Sequence, residues 1–133
     1  MPDFKVLATN HTSFTVSNLD RSVAFFEEAL GFEVTAKGPR DPKAIEQIVG
    51  VPGADIIVAY VQGPDHAVEL IEYVGPADRG WVVSRPCDVG FAHMAFDVDD
   101  LDAALAAAAR HQTSDERKSD AALRRHAHDF RGP

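Results

Sequence analysis

Cysteine is almost missing from this chain of 133 residues: Cys87 stands alone. That excludes an intrachain disulfide and any metal site built from thiolates. Basic residues are also scarce, 13 Lys and Arg against 21 Asp and Glu, for a net charge of −8. Such a balance argues against unaided binding to nucleic acid or an anionic membrane, where phosphates demand a positive surface. No run approaches the ~18 consecutive apolar residues of a membrane span. The opening "MPDFKVLATN" lacks the basic stretch and apolar run of a secretion signal, so a reducing cytoplasm is the expected location. Neither a phosphate-cradling glycine loop nor a G-x-S-x-G elbow is written.

What is present is enough apolar residue, 45% against 26% charged, for one domain or two half-domains sharing a core. A near-repeat organises it. "HTSFTVSNLD" begins at His11 and "HMAFDVDDLD" at His93. In the first copy Thr12, Phe14 and Val16 share one strand face, and His11, Ser13 and Thr15 share the other. Asn18 suits a helix cap, Leu19, Val23, Phe26 and Leu30 form a helical stripe, and Gly31 fits the C-terminal cap. In the second copy Met94, Phe96 and Val98 face the expected helix and His93 points away. Asp100 takes the cap, with Leu101, Ala104, Leu105 and Ala108 as the stripe. This shared strand-to-helix switch signals duplication.

Between the copies, "GFEVTAK", "ADIIVAYVQ" and "AVELIEYV" read as strands. "DPKAIEQIVG" reads as a short helix capped by Asp41 with Pro42 in its first turn. The expected class is therefore α+β. A βαβββ module spans residues 1–74, a linker 75–89, and the start of a second module, strand plus helix, 90–109. Residues 110–133 are polar and lack the alternation of three further strands; residues 119–130 are the one stretch there with helical character.

Three side chains fall on the non-helix faces of their strands: His11, Glu69 and His93. Glu69 is placed by parity, because Val68, Leu70 and Val74 form the apolar side. Imidazole and carboxylate from separate strands of a curved sheet suit a divalent metal such as Zn²⁺, Ni²⁺, Mn²⁺ or Fe²⁺. Taken singly, each has a blander role as a hydrogen-bonded or solvated strand residue. Glu72, on the helix-side parity near a strand end, is expected in solvent. His66 is expected to bound a turn, and Tyr60, Tyr73 and Trp81 to pack, with lining a pocket as their alternative role. Cys87 has no neighbouring base, and "HAH" at 126–128 has no partner pattern.

The segments "HTSFTVSNLDRSVAFFEEALGFEV", "VELIEYVGP" and "GFAHMAFDVDDLDAAL" resemble the vicinal oxygen chelate superfamily. That group includes glyoxalase I, methylmalonyl-CoA epimerase, extradiol dioxygenases and bleomycin resistance proteins. The resemblance implies paired βαβββ modules closing an open barrel, with His11, Glu69 and His93 matching three of four metal-ligand positions. The fourth, a glutamate on a final strand, has no match; Glu116 lies in "SDERKSD", unlike a buried strand. In isomerase-type relatives the missing glutamate often serves as base, which leaves Glu69 as the carboxylate available for proton transfer at the expense of metal. The function implied is a metal-dependent isomerase or lyase acting on a small oxygenated acid or thioester through an enediolate-like state. The alternatives are a non-catalytic small-ligand-binding module of the resistance type and an Fe²⁺ extradiol dioxygenase. An incomplete second module leaves strand edge and apolar surface open, so a homodimer is expected.

Overall fold

Alternation along the strands decides which side of the sheet each residue faces, and the two sides carry different duties. The computed structural model describes residues 2–111. Strand β1 (His11–Thr15) leads into helix α1 (Leu19–Ala24), which continues as a π-helical turn, Phe25–Ala29. Then follow β2 (Glu33–Pro39), α2 (Pro42–Val49), β3 (Asp55–Gln62), β4 (Ala67–Gly75) and α3 (Leu101–Ala109). The four strands form one sheet in the order β1-β4-β3-β2. Strands β2, β3 and β4 run as an antiparallel meander, and β1 joins β4 in parallel. The architecture is α+β.

Local chemistry explains where the helices begin and end. The Asn18 side chain accepts the Arg21 amide at 2.9 Å, satisfying one of the free donors of the first turn. Glu72, expected in solvent, instead accepts the Leu19 amide at 2.8 Å. The half-buried end of β4 and the start of α1 meet there, and an orphan N–H offers the carboxylate a better partner than water. Past Ala24 the turn widens, so the neighbouring rings of Phe25 and Phe26 reach different surroundings. Phe26 packs on the core beside Phe32, and Phe25 meets the ring of His111. Gly31 closes this helix at φ +69°, a conformation that costs a glycine little. Asp41 caps α2, Pro42 sits in its first turn, and Gly50 ends it, also at φ +69°.

Each face of the sheet buries its own cluster. Leu19 and Val23 of α1 pack on Ala59, Val61, Val68 and Leu70 of the sheet. On the opposite face α2 lays Ile45 over Ala54, Ile56 and Val58, with Tyr60, Ile71 and Tyr73 at the margin. Because α2 covers one end of that face, the end bearing His11 and Glu69 stays accessible.

Among the described residues, no strand or helix forms between Gly75 and Leu101. The strand expected to start at His93 is therefore not paired. A strand needs a ladder, and every strand of the sheet comes from residues 11–75. The segment still reaches the rest of the molecule: Met94 packs on the main cluster and Phe96 meets Phe32 edge-on at 5.6 Å. Asp100 caps α3 by accepting the Ala103 amide at 2.9 Å. The stripe expected on α3 is corrected, for Ala104, Ala107 and Ala108 are its half-buried residues, whereas Leu101 and Leu105 are 41% and 42% exposed. Among the described residues no second sheet lies beneath them, so the leucines have nothing there to cover. The helix expected at 119–130, Glu116 and the "HAH" stretch lie outside the described residues.

Leu70 is 1% exposed at the centre of the main cluster. Leu70→Ala is expected to lower unfolding free energy by about 2–5 kcal/mol in urea denaturation, through lost transfer energy and a residual cavity. Val89→Ser, in the exposed connection, should change it by less than about 0.5 kcal/mol.

Candidate functional site

The parallel register of β1 on β4 sets His11 against Ala67 and Ser13 against Glu69. His11, Ser13 and Glu69 all face away from α1, so two chemically useful groups from distant parts of the chain become neighbours. His11 Nε2 lies 3.3 Å from Glu69 Oε2, with His11 32% and Glu69 14% exposed. The Glu69 carboxylate is thus mostly withdrawn from water and needs partners. Ser13 donates to Oε2 at 2.5 Å, and Tyr60 donates to Oε1 at 2.7 Å. Tyr60 stands directly opposite Glu69 in the β3–β4 register, and its ring meets the His11 ring edge-on at 5.5 Å.

The other side of the imidazole decides what faces Glu69. His11 Nδ1 lies 2.5 Å from Asn10 Oδ1 and donates to it. A neutral ring then presents its Nε2 lone pair to a carboxylate oxygen. Two acceptors at that separation repel unless a proton or a cation stands between them. An imidazole nitrogen and a carboxylate oxygen are ordinary ligands of Zn²⁺, Ni²⁺, Mn²⁺ and Fe²⁺, so the pair fits a divalent cation as two ligands of a larger set. Among the described residues, no three His, Cys, Asp or Glu side chains converge on one point. His93 is exposed in the unpaired segment and does not join the pair.

Tyr60, expected to pack, is the residue the strand pattern undervalued. The short turn between β3 and β4 determines that Tyr60 opposes Glu69, and counting outward from "GPDH" would have found it. Ser13 and Asn10 carry no motif and become visible only through contact. His66 does bound the turn and also binds Thr12, Nε2 to Oγ1 at 2.9 Å, which ties the turn to β1. At the far end of the His11 face, Thr15, Tyr73, Arg79 and Trp81 line a cleft of about 430 Å³. Cys87 is exposed and its sulfur contacts Asp88, itself held below the ordinary 3.8 by hydrogen bonds from Arg85.

With the fold and this geometry in view, the comparisons are direct. The Glyoxalase/Bleomycin resistance protein/Dioxygenase superfamily profile matches residues 8–133. The chain belongs to that superfamily. A 2-epi-5-epi-valiolone epimerase from an Actinomyces species is 33% identical over 104 residues, covering 74% of this chain and 55% of that protein. The chain thus spans about half the length of this curated relative. A glyoxalase family protein of Bacillus cereus superposes with a TM-score of 0.67 at 20% identity, covering 84% of this chain and 76% of the other. SMU.1112c gives a TM-score of 0.54 at 24% identity, covering 77% and 73%. These two likenesses show a glyoxalase-like fold. Members of the superfamily generally bind divalent metals and act on small molecules. Among the described residues no helix is long and apolar enough to cross a membrane.

The hydrogen bond to Glu69 raises the Tyr60 hydroxyl above its ordinary value of 10.0, assisted by burial and the carboxylate's charge, while Arg40 pulls the other way. Folding therefore favours the protonated phenol. Its contribution to stability is complete below the unfolded pKa and is lost as pH rises through the folded one. In an ultraviolet phenolate titration, the signal that disappears in Tyr60→Phe should have its midpoint above 10.0 in the native protein. Glu69→Gln should move that midpoint down.

Proposed function

We propose that this chain carries the metal-binding part of a glyoxalase/epimerase-type isomerase or lyase for a small oxygenated carbonyl compound. One observation carries the reading: His11 Nε2 and Glu69 Oε2 face each other at 3.3 Å while Asn10 occupies the other ring nitrogen. The relative's epimerase name adds support and supplies 2-epi-5-epi-valiolone as the first substrate to try.

In this reading His11 and Glu69 hold a divalent cation, with His93 as third ligand. A bound cation would supply positive charge against the negative charge that develops on substrate oxygens when the neighbouring carbon loses a proton. Both Glu69 oxygens already accept hydroxyl hydrogens, so Glu69 is better suited to holding a cation than to removing a proton. Tyr60 keeps its own proton on Oη and orients the carboxylate. The same face runs from His11 past Ser13 to Thr15, about 13 Å along the strand at ~3.3 Å per residue, and ends at the cleft lined by Thr15, Tyr73 and Trp81.

His93 reaches the pair when its segment gains strand partners. Phe91, Phe96, Val98, Leu101 and Leu105, from the same segment and α3, are 41–44% exposed, apolar surface that a second copy of the chain would cover. Superfamily members often dimerise, and light scattering should give about twice 14.4 kDa; a monomer mass would remove His93 from the reading.

Solvent deuterium exchange into 2-epi-5-epi-valiolone, followed by NMR with Zn²⁺, Ni²⁺, Mn²⁺ or Fe²⁺ added, tests the chemistry. Metal-dependent exchange is expected, slowed at least about 100-fold by His11→Ala. Binding without exchange under every metal would replace catalysis with ligand holding.

A further inference from the structure

We infer that Tyr60 is the positioning residue of this site: its hydroxyl, by holding Glu69 Oε1, turns Oε2 toward His11 and so sets the affinity of the pair for a divalent cation. The inference rests on the reading that His11 and Glu69 hold such a cation. A glutamate side chain has three soft torsions, and an unanchored one would spend much of its time turned from its partner. Two hydroxyls restrain Glu69, but they are not equivalent. Ser13 Oγ, on the oxygen that faces His11, swings about a single bond. Tyr60 Oη is fixed at the end of a rigid ring, and that ring is held on three sides. Its backbone lies in the middle of the ladder opposite Glu69, its body packs against the cluster of Ile45, Ala54, Ile56 and Val58, and its ring meets His11 edge-on. Tyr60 thus touches both members of the pair while leaving Oε2 and Nε2 to face each other. Partners behind metal ligands act in this way, fixing orientation before the ion arrives.

Co²⁺, a spectroscopic stand-in for Zn²⁺, provides the test on the full-length chain, by calorimetry for affinity and by the visible absorption band for ligand geometry. Tyr60→Phe, with folding checked by circular dichroism, is expected to weaken Co²⁺ binding about 10–100-fold and to shift the band. Ile56→Val, a trimmed side chain in the same apolar cluster outside the hydrogen-bond network, is the control and should stay within about twofold of wild type. A wild-type affinity and band in Tyr60→Phe overturns the inference and leaves the cation reading standing. Equal weakening in Ile56→Val marks a packing effect and also overturns it. A wild-type chain that binds no Co²⁺ at millimolar concentration overturns both.

Discussion

The parallel pairing of β1 with β4 is the constraint on which the rest of the structure depends. β1 is made first, and two helices and two strands intervene before its partner. Once closed, the ladder continues beyond β1 through the Val16 amide to Ile71 at 2.8 Å. It also delivers the start of α1 to Glu72, so the first helix is anchored to the last strand at its N-terminal donors. Without this pairing His11 and Glu69 would belong to separate pieces of chain.

The sheet then divides its labour by face. Alternation sends Val68 and Leu70 under α1, where both are essentially sealed from water. The intervening Glu69 goes to the other side. A carboxylate left 14% exposed on a sheet face would be costly without partners, and it has two donors: the serine beside it and the tyrosine across from it. α2 covers the same face at Ile56 and Val58 and stops short of this cluster. Burial nearby and access at the site arise from the length and position of one short helix.

The segment after Gly75 follows a different rule. It contributes Met94 and Phe96 to surroundings built by earlier residues, and α3 rests its alanine side on the π-helical turn. Its larger apolar groups remain at the surface. A strand and a helix without a sheet of their own can lean on a neighbour, but they cannot make a second core.

The near-repeat, the strand faces and the helix caps at Asn18, Asp41 and Asp100 were legible in the residues alone. Each depends on neighbours a few positions away: a period of two, a stripe of three and four, a short side chain ahead of free amides. Parity likewise put His11 and Glu69 on the side of their strands away from α1, and the short β3–β4 turn contained the information that Tyr60 opposes Glu69. Tertiary structure decided the rest. It chose the leucine-free side of α3 as the packed one, turned Glu72 from solvent to the Leu19 amide, and left the segment from His93 without a ladder. It also set 3.3 Å between a histidine and a carboxylate from opposite ends of the sheet's connectivity. Periodicity and capping are local and therefore written in order along the chain, whereas ladder partners and contacts between faces depend on closing long loops, and no short stretch of residues records which closure wins.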